Sequence, residues 1–132
     1  MKAEKKMTKY HFKEIESGIH KHAKEDLSKW IENDPALIFM DEIIRVELER
    51  PLCMGGVIIF KPDIVVYDKD GIKKYIEICH KHAVDLIKLN KISLFHTYHN
   101  WNGIELIEVS AKWVLDQCEQ PKVLKILNRF VI

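Results

Sequence analysis

Pro62-Asp63 and Glu77-Ile78-Cys79 stand on either side of the turn sequence Asp68-Lys69-Asp70-Gly71. If Lys69-Asp70-Gly71 is a three-residue hairpin loop with Gly71 in the left-handed position, Asp68 faces Ile72 and Asp63 falls directly opposite Glu77. Opposed residues share a sheet face, with Cβ atoms ~5 Å apart. Two carboxylates at that spacing repel each other, and such a pair persists where a divalent cation lies between them or where they share a proton. Cys79 shares the face of Glu77, because strand side chains alternate. A one-residue slip of the turn would put Asp63 on the other face, and both registers are open at this level.

A further carboxylate, Glu16, lies in a segment where Phe12, Ile15, Ile19, Ala23, Leu27 and Trp30 recur at three- and four-residue steps. On a helix it points into that apolar stripe. A charge there needs an ionic partner, a metal, or a rotation that moves it to the stripe's boundary. Lys88 is a candidate cation, with Lys81 and Lys91 as alternatives. A Glu77, Cys79, His80 and His82 group has the donor types for zinc, but residues 79 and 80 face opposite ways while a strand lasts. His96 and His99 read as loop residues. Asp68-x-Asp70-Gly71 matches only the start of a calcium loop, so it reads as turn chemistry. Cys53, Cys79 and Cys118 are odd in number and form no CxxC, which argues against a cysteine zinc site and for reduced thiols.

The elements that must position these groups follow from periodicity. Phe12 to Ile31 reads as an amphipathic helix, stopped by Asn33-Asp34-Pro35. Ile43 to Glu49 alternates as a strand, Pro51 to Gly56 reads as a loop, and Val57 to Tyr67 is extended, with Pro62 marking an edge, a bulge or a strand start. Ile72 to Cys79 is a further strand. A second helix is expected over Ala83 to Leu94, with Ala83, Val84, Ile87 and Leu94 on its apolar side and Lys88 well off it. Asn100 to Gly103 is a turn, Ile104 to Val109 a strand, and Glu119 to Asn128 a last helix. The order is α-β-β-β-α-β-α, one domain over residues 1–132, of α/β (α+β) class.

The chain has 132 residues, 47% of them hydrophobic and 31% charged, the balance of a folded domain. Its 21 Lys and Arg nearly cancel 20 Asp and Glu, for a net charge of +1. That balance neither demands nor excludes a nucleic-acid partner, since a basic surface beside an acidic pocket averages to the same value. Lys2, Lys5, Lys6, Lys9 and Lys13 cluster near the N-terminus, as phosphate contacts or as a solvated end. No apolar run is long enough to span a bilayer, and the basic N-terminus lacks the apolar core of a signal peptide, so a cytoplasmic location without a membrane partner is expected.

Together, the helix carboxylate, the Pro-Asp and the Glu-x-Cys resemble the PD-(D/E)xK nuclease superfamily, whose core is α-β-β-β-α-β with Asp on the second strand and Glu-x-Lys on the third. Within it the chain is most similar to competence protein CoiA-like nuclease domains, through Tyr10-His11-Phe12, Glu16-Ser17, His20, Lys24, Trp30-Ile31, Ile76-Glu77-Ile78, His80, Asp85, Lys88 and Ile104-Glu105. The resemblance implies a restriction-endonuclease-like core with a C-terminal helix. It also implies Mg²⁺- or Mn²⁺-dependent hydrolysis of phosphodiester bonds in DNA or RNA. Asp63, Glu77 and the backbone carbonyl of Ile78 would hold the metal, and Glu16 would act through water or on a second ion. Cys79 stands where the family has its lysine, and Lys88 is the substitute the likeness offers. The alternatives are a degenerate nuclease fold that binds nucleic acid or a protein, and a regulatory protein that kept only the scaffold. A homodimer would suit a chain this small on a duplex.

Overall fold

In the computed structural model, residues 2–79 and 86–132 are described, with side chains described from Gly18 onward. Helix α1 (Lys2–Asn33) is followed by a 3₁₀ turn (Pro35–Ile38), strands β1 (Arg45–Leu48), β2 (Leu52–Met54), β3 (Val57–Phe60), β4 (Ile64–Asp68) and β5 (Gly71–Cys79), helix α2 (Leu86–His99), strand β6 (Glu105–Ser110), helix α3 (Ala111–Asp116) and strand β7 (Asn128–Val131). The chain is mixed α/β. Five strands form one sheet in the order β1-β4-β5-β6-β7, and β2 and β3 pair separately. β5 and β6 are parallel, joined across α2, and the other pairs are antiparallel.

Two apolar layers sandwich the sheet. Ile64, Val66, Ile76, Ile78, Ile107 and Val109 pack against α1, the 3₁₀ turn and α3, with Leu27, Ile31 and Ile38 fully buried. Val65, Tyr67, Tyr75 and Leu106 pack on the other side against Ile92 and Phe95 of α2 and Leu52 and Phe60 of the β2–β3 hairpin. The alternation of strand residues between these layers decides where each polar side chain on β4, β5 and β6 points.

Four expectations are corrected. Pro51 to Gly56 is not a plain loop: Leu52 to Met54 pair with β3 across Gly55-Gly56, whose φ values of +58° and +79° suit the two-residue hairpin turn. Val57 to Tyr67 is two strands, broken at Lys61-Pro62-Asp63, where proline has no N–H to donate. The apolar side of α2 is not that of Ile87 and Leu94, which are each 70% exposed; Ile92, Phe95 and His96 are buried instead. Ring packing sets this rotation: Phe95 lies edge-to-face with Trp101 and His96 bonds the Tyr75 hydroxyl at 2.8 Å. Finally, Glu119 to Asn128 is not a helix. Ser110 caps an earlier helix by accepting from Trp113 N–H, and the chain then returns as β7 along the open edge of β6. Pro121 lies within the expected segment, and of its apolar residues Leu124 is buried while Val123 is 78% exposed.

Candidate metal centre

Along β4 and β5 the pairs run Asp68 with Gly71 and Tyr67 with Ile72, then Val66 with Lys74, Val65 with Tyr75 and Ile64 with Ile76. The hairpin loop is thus Lys69-Asp70, one residue shorter than expected, and a bulge at Lys73 restores the lost residue. The two deviations cancel. Asp63 stands just before the Ile64–Ile76 pair, its carboxylate beside that of Glu77, which faces the α2 side of the sheet. In parallel β6, Glu108 stands beside Glu77, and Cys79 follows on the same face.

The local bonds show how each group is held. Asp63 is 9% exposed; its Oδ2 accepts the Ile78 N–H at 2.7 Å and lies 3.2 Å from His20 Nε2 of α1. Glu77 is 8% exposed, and its Oε1 is buried without a hydrogen-bond partner among the described residues. Lys88 Nζ lies 3.6 Å from that oxygen, an ion pair rather than a hydrogen bond. Burial first, and then the adjacent Asp63 carboxylate, push the Glu77 carboxyl up to about 8, while Lys88 pulls the other way. Lys88 sits on the inward edge of α2, over the Phe60 ring at 5.1 Å, because the helix is rotated from the expected wheel.

Cys79 Sγ donates to Glu108 Oε2 at 2.9 Å. Burial and that bond push the thiol up to about 12, so it is a neutral thiol and not a thiolate. Beside the site, buried Lys24 of α1 pairs with Glu49, whose carboxyl this bond holds below the usual range.

Of the sequence-derived candidates, the structure brings together Asp63, Glu77, the Ile78 backbone and Lys88. The Ile78 N–H bonds the Asp63 carboxylate. The Glu16 side chain, His80, Lys81, His82 and Asp85 lie outside the described residues. His96 is not a loop residue: it is 2% exposed in α2, and burial holds its imidazole down at about 4. Glu108 was missed as a site residue. Its signal was a lone carboxylate in the apolar run Leu106-Ile107-Glu108-Val109, and it is fully buried. His20 enters the sequence reading only through the resemblance, and its contact with Asp63 joins two segments that no local pattern links.

Among the described residues, no three or more His, Cys, Asp and Glu side chains form a group arranged to hold a metal ion. Asp63 and Glu77 nevertheless fit Mg²⁺ in kind, as hard carboxylate oxygens, one of them buried without a hydrogen bond among the described residues; one or two carboxylates suffice for an ion that keeps most of its waters. No described helix is long and apolar enough to cross a membrane. Compared with family models, curated proteins and solved structures, the chain matches none.

Proposed function

We propose that this chain is a metal-dependent nuclease-like protein that hydrolyses phosphodiester bonds in nucleic acid, DNA first, on a restriction-endonuclease-like core. The observation that carries the reading is the Asp63 carboxylate, just before β4, beside the Glu77 carboxyl of β5, with Glu77 Oε1 buried, without a hydrogen bond among the described residues, and 3.6 Å from Lys88. The order α1, β1, β4, β5, α2, β6 supports the core, with the β2–β3 hairpin inserted. Asp63 and Glu77 would hold Mg²⁺ or Mn²⁺, with the Ile78 carbonyl and Glu16 as the further ligands of the resemblance. Bound there, the ion would lower the pKa of a water and offset charge on the phosphate.

The chain's own residues do the rest. The Ile78 N–H and His20 orient the Asp63 carboxylate. Lys88, half-buried on α2, supplies a cation beside Glu77 that can turn to a phosphate oxygen. The Cys79 thiol is neutral and cannot take the part of the family's lysine. A homodimer and a cytoplasmic setting belong to the same proposal.

Cys79 also favours a second reading, a degenerate fold that binds nucleic acid or a protein without cutting. A nicking assay on plasmid and single-stranded DNA with Mg²⁺ or Mn²⁺ separates the two. On the first reading Asp63→Ala abolishes cleavage, and Lys88→Ala lowers it on the order of 100-fold while metal binding persists. Full activity in Asp63→Ala would overturn the metal-dependent scheme, and a wild type inactive with both ions would favour the second reading.

A further inference from the structure

At the opposite end of the sheet, where β4 ends and β5 and β6 begin, a cleft of about 520 Å³ opens between the segment after the 3₁₀ turn and the Asp68–Gly71 hairpin. That volume falls within the range of small-ligand sites, roughly 300–1,000 Å³. Phe39 stands at its mouth. Its backbone is left-handed, at φ +62° and ψ +38°, where it closes the 3₁₀ turn. Glycine or asparagine fills such a position without strain, whereas a phenylalanine there is an outlier. The ring is also 60% exposed, so burial does not explain its presence. The Arg129 guanidinium carbon lies 4.4 Å from the ring centroid and Lys74 Nζ 5.9 Å from it. A strained, exposed aromatic covered by a guanidinium is a flat stacking surface, and strain of this kind concentrates where a ligand is held.

The charges of the lining narrow the ligand. Glu105 is neutralised by Lys74 and Arg129, and Asp68 has Lys73 at 3.7 Å. Lys69 and Lys73 are exposed at the hairpin, and Asp41 and Glu42 are exposed on the opposite wall. A groove for phosphate alone would not carry Asp41 and Glu42. Carboxylates suit the amino edge of a base, as they accept from the cytosine N4 amine, and lysines suit its phosphate.

We propose that this cleft binds one unpaired nucleobase with an exocyclic amine, stacked on the face of Phe39 that Arg129 leaves open, its amine toward Asp41 and Glu42 and its phosphate toward Lys69 and Lys73. The ligand class rests on the nucleic-acid reading above and extends it from the carboxylate end of the sheet to the other end. A strand held here would be anchored away from the candidate metal centre.

The test is fluorescence anisotropy of the full chain with dye-labelled ten-nucleotide probes in EDTA, so that cleavage plays no part. The expected order is oligo-dC above oligo-dT above an abasic strand of equal length. Phe39→Ala should weaken oligo-dC binding on the order of tenfold, leave the abasic strand unchanged, and be rescued by Phe39→Trp. Phe39→Gly, which relieves the left-handed strain, should bind as weakly as Phe39→Ala, so that a folding defect is told apart from loss of the ring. Competition by dCMP identifies the source: affinity equal to that of the oligomer assigns the site to a free nucleotide, and much weaker affinity assigns it to a strand. Oligo-dC binding by Phe39→Ala within twofold of wild type, equal affinity for the abasic strand, or no binding by the wild type would each overturn the proposal. If the wild type binds the strands in the expected order and still fails to cleave when Mg²⁺ is restored, the nuclease reading fails and the base site stands.

Discussion

Glu77 on β5 and Glu105 on β6 are both largely buried glutamates of adjacent strands, and they are held in opposite ways. Glu105, at the hairpin end, is bonded by Lys74 and Arg129, which hold its carboxyl below the usual range. Glu77, at the other end, has Asp63 beside it and, among the described residues, a long ion pair to Lys88, and its carboxyl is pushed up to about 8. The same side chain is a saturated structural charge in one place and an under-compensated one in the other. Burial alone does not tell them apart. What differs, among the described residues, is how closely donors reach the oxygens. A carboxylate kept short of cations is the one prepared to receive a cation from outside the chain.

The largest expected effect breaks the saturated end. Glu105→Gln leaves the Lys74 ammonium, 4% exposed, without its carboxylate and should cost about 3 kcal/mol in urea denaturation at pH 7. Arg129→Ala, at the exposed side of the same network, should cost less. A Glu105→Gln loss no larger than that of a surface substitution would show that the two ends are not different in kind.

Glu77→Gln should have the opposite sign. Its carboxyl titrates at about 8 in the folded chain against 4.5 ordinarily, so between these values the native state binds more protons than the unfolded state. Wild-type stability therefore falls as pH rises through that window. Glutamine does not titrate, so the variant should gain over wild type from pH 4.5 upward, reaching on the order of 2 kcal/mol near pH 8 in metal-free buffer. Saturating Mg²⁺ should shrink that gap by stabilising the wild type alone. His96 works in the other direction. Held down at about 4 against 6.5, it makes stability rise with pH between those values, in wild type and variant alike. The informative quantity is the difference between their melting temperatures across pH. A flat difference would place Glu77 in the same class as Glu105.

The smallest effect concerns Cys79. Cys79→Lys puts an ammonium within reach of Glu108 and beside Glu77, and should raise cleavage on the order of tenfold, ~1.4 kcal/mol in barrier. Cys79→Ala should stay within about twofold of wild type, since a neutral thiol contributes little to the site. A large loss in Cys79→Ala would give the thiol a role that its bond to Glu108 does not suggest.

Several features were legible locally. Asn33-Asp34-Pro35 marks the end of α1, and Asp34 accepts from the Ala36 N–H at 3.2 Å as the cap of the next turn. The alternation of Ile43 to Glu49 marks β1. The hairpin loop is one residue shorter than the sequence suggests, yet the bulge at Lys73 returns the register, so Ile64 meets Ile76 as the longer loop would also require. The rotation of α2 was not legible. Ile87 and Leu94 have the composition of a buried stripe, yet Ile92, Phe95 and His96 take the inside because rings from β5 and the following turn meet them there. That rotation is also what turns Lys88 toward Glu77. The β7 pairing was hidden for a related reason: Val123, Leu124 and Leu127 carry helical spacing, and the open edge of β6 is known only once the sheet exists.

By itself, the sequence determined which segments are helix and strand across most of the chain, and which carboxylates stand at strand positions that a short hairpin opposes. Those outcomes depend on side-chain period, proline and turn residues, all of which act over a few neighbours. Tertiary structure alone decided that His20 meets Asp63, that Glu108 joins the face of Glu77 and Cys79, that Lys88 is the cation beside Glu77, and that Glu105 is saturated while Glu77 is not. Each of these depends on residues about 10 to 45 positions apart meeting on one sheet. The burial and charge that set a carboxylate's protonation arise only when those distant segments pack together.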